Sequence, residues 1–202
     1  MKEGEGEARR QRRQGRWLLL FFLFLYLLGA HGYIENPDGE VTYLTARAIA
    51  LKGDPAITPD LGPAARAILA HEQESGGHRT RGYACAPGRD GRYYAWFGIG
   101  HALWNLPFYL AGKGLSLLLP GVEEAYARGP HPLERMAPGL RGEEYFPHLL
   151  VSLSYPLAAA LTCRVLFGLA LVLGLRRSTA LLLTLVYGLA TMAWPFARES
   201  LS

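Results

Sequence analysis

The chain has 202 residues, half of them hydrophobic, and 21 Lys and Arg stand against 17 Asp and Glu for a formal charge of +4. The charge is unevenly spread: 17–34, 95–119 and 147–175 are nearly free of acids and bases, which excludes one soluble domain with a mixed-charge surface. Beyond the N-terminal tail no basic patch is concentrated enough to track a phosphate backbone, which excludes nucleic acid as a partner.

In chain order, residues 1–16 form a basic tail, in which Lys2, Arg9, Arg10, Arg12, Arg13 and Arg16 outnumber Glu3, Glu5 and Glu7. A basic tail beside an apolar run reads as a cytoplasmic anchor on an anionic leaflet. Residues 17–34 then hold roughly 18 uncharged positions, nearly enough at about 1.5 Å per residue to cross a hydrocarbon core of roughly 30 Å. A cleaved signal peptide is the competing reading, with Gly29, Ala30 and Gly32 as a weak small-residue site. The later apolar segments favour an uncleaved first transmembrane helix.

An acidic turn follows, with Glu35, Asp38 and Glu40 just beyond the far face of the bilayer. Asn36 or Asp38 serves as N-cap, Pro37 suits the first turn, and acids there favour the helix macrodipole. Val41, Leu44, Ala48 and Leu51 share one face and Gly53 is the expected C-cap, so 41–52 reads as an amphipathic helix lying on the bilayer surface or on the membrane helices. A short helix is expected over 63–74. Glu74 to His78 breaks it, and Gly82 to Tyr94 looks like a turn between two short extended pieces, with Pro87-Gly88 and Asp90-Gly91 as turn dipeptides.

Segment 95–119 is apolar but holds Gly98, Gly100, His101, Asn105, Gly112 and Lys113, and Pro107 interrupts it. Residues 96–110 therefore read as a helix at the outer interface, with Trp96, Trp104 and Tyr109 at headgroup level. His101 reads as an interface residue. The stretch 120–146 is polar, rich in Pro and Gly, and reads as loop.

Residues 147–174 and 179–197 are the remaining candidate spans, joined by a basic turn at 175–178. The positive-inside rule puts that turn on the side of the tail. The expected architecture is an all-α polytopic membrane protein: about three transmembrane helices, a large external loop at 35–146 bearing surface-lying helices, and an external end at 198–202. The two late spans exclude an exported soluble domain. Cys85 and Cys163 lie in dissimilar segments and the six histidines are scattered, so neither a disulfide nor a metal site is read from them.

Three stretches in this order resemble a known superfamily. Asn36-Pro-Asp-Gly-Glu-Val-Thr-Tyr-Leu-Thr-Ala-Arg-Ala-Ile-Ala-Leu-Lys-Gly53 looks like the opening of its first external loop. Gly91-Arg-Tyr-Tyr-Ala-Trp-Phe-Gly-Ile-Gly-His-Ala-Leu-Trp-Asn-Leu-Pro-Phe-Tyr109 looks like that loop's second surface helix. Tyr187-Gly-Leu-Ala-Thr-Met-Ala-Trp-Pro-Phe-Ala-Arg198 looks like the helix end leading to a second external loop. The order is similar to the N-terminal portion of the GT-C glycosyltransferases that use polyprenyl-phosphate sugars, which include protein O-mannosyltransferases and lipid A aminoarabinose transferases.

The resemblance implies a multi-pass enzyme of the bacterial inner membrane with a cytoplasmic N-terminus, of which this chain is the front part. It implies transfer of a sugar from the lipid phosphate to an acceptor on the external face, with a first-loop carboxylate as general base. The matching position is Asp38, and Glu40, one residue removed from it by Gly39, competes for the role. Cationic side chains are expected beside the departing lipid phosphate: Arg198 matches in position, and Arg164, roughly 15 Å from the basic turn, is a second candidate. The plainer readings are an N-cap for Asp38, an interfacial anchor for Arg198 and a snorkelling side chain for Arg164. No cofactor follows; a divalent cation and the oligomeric state are left open. The alternative function is a small polytopic membrane protein without catalysis, a transporter part or an assembly partner.

Overall fold

The structure, a computed structural model, describes residues 2–34, 36–74, 85–129 and 142–198. Glu35, the break at 75–78, residues 82–84, the loop stretch 130–141 and Glu199 lie outside the described residues. The chain is mostly helical: α1 (Lys2–Gly29), α2 (Pro37–Lys52), a 3-10 turn (Pro59–Leu61), α3 (Pro63–Glu74), strands β1 (Cys85–Pro87) and β2 (Tyr93–Ala95), then α4 (Ile99–Leu118), α5 (Pro120–Ala127), α6 (Tyr145–Val172), α7 (Arg177–Ala190) and α8 (Ala193–Arg198). The described residues fall into two compact units, one from 2–31 and 153–198 and the other from within 32–152, α6 passing from the second to the first between Ser152 and Leu153.

The first unit packs α1, the greater part of α6, α7 and α8 around Phe22 and Tyr26. Both are fully buried against Ala160, Cys163, Phe167, Ala170, Ala180 and Ala197. Small residues there let the helix backbones approach closely. Tyr26 donates its hydroxyl to the carbonyl of Gly188 at 2.9 Å, and the Phe22 ring occupies the place a Gly188 side chain would need. The outward faces are apolar: Leu20, Phe24, Leu28, Val165, Leu169, Leu182 and Val186 are each half exposed or more.

Among the described residues one helix, Tyr145–Val172, is long and apolar enough to cross a membrane. The expected span over 179–197 is divided. α7 ends at Ala190 and Thr191 is extended (φ −123°, ψ −177°) before α8 begins. Pro195 explains the break, because its ring would collide with the carbonyl of Thr191, four residues earlier, if the helix ran on. The Thr191 hydroxyl then accepts from Ala193 N at 3.2 Å, starting α8 afresh. At the other end the helix begins well before Trp17: the tail is itself helical from Lys2, continuous with the apolar run.

The second unit is built on α2. Its start follows the sequence signals: Asn36 is the N-cap, Pro37 stands in the first turn, and Gly53 closes the helix at φ 68° with its N–H on Ile49 O at 2.9 Å. The expectation of one apolar face with Leu51 on it is corrected. Residues 39–46 and Ala48 are buried around the whole circumference, while Leu51, assigned to the apolar face, is exposed. The cover comes from α4, whose face Ala102, Asn105, Tyr109 and Gly112 is buried and whose Tyr109 ring meets Tyr43 edge-on at 5.7 Å.

α4 is longer than expected and passes through Pro107 unbroken. That buried face, on both sides of the proline, holds the helix together across the missing donor. Its opposite side, with Ile99, Leu103, Leu110 and Leu117, is exposed. Within 120–146, α5 forms where only loop was expected, Pro120 opening it and Glu123 in its first turn. β1 and β2 pair antiparallel with Cys85 opposite Ala95, as the turn dipeptides between them require, and Ile57 N bonds Tyr93 O at 2.8 Å beside them.

Candidate functional site

The polar centre of the second unit gathers three carboxylates, two permanent cations and one imidazole. Glu40, one turn into α2, is fully buried, and His148 in the first turn of α6 is 2% exposed. His148 Nε2 lies 3.3 Å from each Glu40 carboxylate oxygen, and Nδ1 lies 3.1 Å from the carbonyl of Glu144. The imidazole is stacked on the Tyr43 ring, centroids 3.8 Å apart. Aromatic stacking and two polar contacts fix its orientation.

Glu144 is the hub. Its carboxylate accepts from Tyr43 OH at 2.7 Å, from Lys113 Nζ at 3.0 Å and from Tyr109 OH at 3.5 Å, and Arg47 Nε stands 3.4 Å away. Burial pushes its pKa up, but the Arg47 charge, the Tyr43 hydroxyl and Lys113 outweigh that and hold it below the usual value. Its backbone is in the left-handed region at φ 47°, which disfavours a residue with a Cβ. Its neighbour Glu143 accepts from Arg47 Nη1 at 3.0 Å and from Ala64 N at 2.9 Å, so it caps α3 across 79 residues of chain. Glu123 does the same for α6, accepting from Tyr145 N at 2.7 Å, Phe146 N at 3.1 Å and the Ser116 hydroxyl at 2.5 Å.

Asp38 is different. Asn36 Oδ1 takes the cap bond from Gly39 N at 2.6 Å, so Asp38 is not the N-cap. Its backbone carbonyl accepts from the Thr42 hydroxyl. Among the described residues its half-buried carboxylate has no hydrogen-bond or ion-pair partner, and burial raises its pKa. Asp38 and Glu40 stand two residues apart, about 200° around the helix. One points into the Glu40–His148 pair and the other is uncommitted.

The structure brings Asp38 and Glu40 together on one turn. Arg164 and Arg198 belong to the other unit. Arg164 comes from α6, and its Nε would stand 3.7 Å from a Cβ on Gly15. Its exposed side chain thus lies along the helical tail, one turn from Arg12. Arg198 ends α8, and its side chain lies outside the described residues. His101 stands in the first turn of α4. Both cysteines are free and buried. Among the described residues no group of three or more His, Cys, Asp or Glu side chains is placed to hold a metal ion.

Sequence reasoning passed over Arg47, Lys113, Glu143, Glu144 and His148. The signal available was the pair Glu143-Glu144 placed directly before an apolar helix that opens with Tyr145 and His148, a concentration of polar groups that a solvated loop has no need of. Comparison with family models, with curated proteins and with solved structures returned no match.

Proposed function

We propose that this chain acts in sugar transfer at a membrane, as a GT-C type glycosyltransferase that moves a sugar from a polyprenyl-phosphate donor to an acceptor on the external face. The observation that carries the reading is Asp38: a carboxylate on the first turn of a buried helix, relieved of capping by Asn36, without a partner among the described residues, and made more basic by burial. A carboxylate left uncommitted beside the paired Glu40 is free to take a proton. As base it accepts the proton of an acceptor hydroxyl as that oxygen bonds to the anomeric carbon. The bond from that carbon to the phosphate oxygen breaks, and the lipid phosphate leaves as the anion. Glu40, held by His148, is assigned to positioning α2.

Membrane residence is supported by α6 and by the apolar outer faces of the first unit. The multi-pass reading makes α1, α6 and α7 the crossings, with the arginine-rich tail and the Arg176-Arg177 turn in the cytoplasm of a bacterial cell. The exposed apolar side of α4 fits a helix lying at the outer interface.

The test is the Asp38→Asn protein beside wild type and Glu40→Gln, assayed with polyprenyl-phosphate sugars and with lipid, protein and glycan acceptors. Loss of about 10²-fold or more in transfer by Asp38→Asn, with membrane insertion unchanged, is the expected result. Full transfer by Asp38→Asn removes it as the base. Absence of transfer by wild type favours the second reading, a membrane protein without catalysis, for which the fully paired buried network is the supporting observation.

A further inference from the structure

The first unit holds a groove of 450 Å³ between the helical tail and the far end of α6. Its polar rim is Gln11 and Arg12 from α1 and Arg164 from α6; its floor is Phe167, Gly168 and Leu171. Two glycines shape it. The Arg164 stem lies against α1 at Gly15, where a Cβ would stand in ordinary contact with Arg164 Cγ at 3.8 Å and a longer side chain would press on it, and a Cβ on Gly168 would meet nothing within 4 Å. Among the described residues neither Arg12 nor Arg164 has a carboxylate partner. Two guanidiniums with unspent donors therefore face one cavity whose wall is hydrocarbon. The apolar wall runs on into the exposed surface at Val165, Leu169 and Val172.

We propose that this groove is a binding site for one anionic phospholipid, its phosphate between Arg12 and Arg164 and an acyl chain along Phe167 and Leu171. Arginine suits the phosphate because its planar fork offers parallel donors to two oxygens. The continuous apolar wall selects a lipid over free phosphate. The site rests on membrane residence and on the tail facing the anionic leaflet, not on sugar transfer. It also gives the helical tail a function: a disordered tail would be drawn to the leaflet as a whole, whereas a helix continuous with α1 holds Arg12 at a fixed place beside Arg164.

The experiment is native mass spectrometry of the full chain in detergent with short-chain phosphatidylglycerol, phosphatidylcholine or inorganic phosphate added. Wild type is expected to retain one phosphatidylglycerol preferentially. Arg12→Gln and Arg164→Gln should each weaken that binding about tenfold, and Gly15→Leu, which keeps every charge, should weaken it similarly by displacing the Arg164 stem. Arg176→Gln, which removes a charge outside the groove, should leave it within twofold. Equal losses in all three arginine variants mean diffuse attraction and overturn the site. Displacement of the lipid by equimolar inorganic phosphate assigns the groove to phosphate alone and overturns the lipid; equal retention of phosphatidylcholine overturns it as well. Circular dichroism confirms that each variant keeps its helices. Wild type that transfers sugar but shows no preference for phosphatidylglycerol refutes this site and leaves the transferase reading intact.

Discussion

His148 Nε2 sits 3.3 Å from both oxygens of the Glu40 carboxylate, joining α2 to the start of α6 across 108 residues of chain. Both side chains are sealed from solvent, so each is the other's substitute for water. Removing one partner of such a pair takes from the other its buried counter-charge, at a cost of up to about 3–5 kcal/mol, whereas replacing both by well-packed apolar groups is close to neutral. His148→Ala and Glu40→Gln should each lower the melting temperature of the detergent-solubilised protein markedly. The double variant Glu40→Leu with His148→Phe should recover most of the loss. A double variant no better than the singles would show that the pair contributes more than mutual satisfaction.

Glu144 makes stability pH-dependent. Its pKa in the fold lies below that of the unfolded chain, so its contribution is complete above about pH 4.3 and is lost as the pH falls through the folded value. Glu144→Gln should melt well below wild type at pH 7, and the gap should close as the pH falls through the folded value. A gap independent of pH would assign the effect to packing. The left-handed backbone adds a second signature: Glu144→Gly should be less destabilising than Glu144→Ala, by roughly 1 kcal/mol.

Glu123 caps α6 from a distance. Glu123→Ala leaves the N–H groups of Tyr145 and Phe146 without their acceptor and should cost about 1 kcal/mol, as loss of a cap does. The effect should be local: amide exchange at 145 and 146 speeds up more than at residues buried in the middle of α2. Uniform acceleration would place Glu123 in the global stability of the unit instead.

Cys85 should be chemically silent. Burial first, then the nearby Glu72 charge, pushes its thiol up to about 12. A maleimide at pH 7 should leave it unlabelled until the protein is denatured. Cysteines placed at exposed Ser178 or half-buried Lys113 then report sidedness without removal of Cys85. Labelling Lys113→Cys only from the cytoplasm would overturn an external α4.

Local punctuation made α2 legible. Asn36, Pro37 and Gly53 act on backbone groups within one turn, and the helix begins and ends where they require. The hairpin was legible for the same reason. What escaped was decided by distant partners. Val41, Leu44 and Ala48 mark one face, yet the other sides of α2 are covered as well, and the Tyr43–Tyr109 contact behind that cover spans 66 positions of sequence. Pro107 reads as a break by the same rule that correctly explains the break at Pro195. The buried face flanking Pro107 decides the first case; Thr191, with a hydroxyl ready to restart a helix, decides the second. The acidic turn put forward Glu35, Asp38 and Glu40, and the family resemblance singled out Asp38 among them. That Asn36, not Asp38, makes the cap, and that His148 takes Glu40, needed the fold.

Gly142 donates its N–H to the Gly129 carbonyl at 3.1 Å, while Glu123 fastens the start of α6 and Glu143 that of α3. Positions 129 and 142 are thus held together from within the second unit, and the hold of Glu123 on α6 and of Glu143 on α3 does not run through the residues between them.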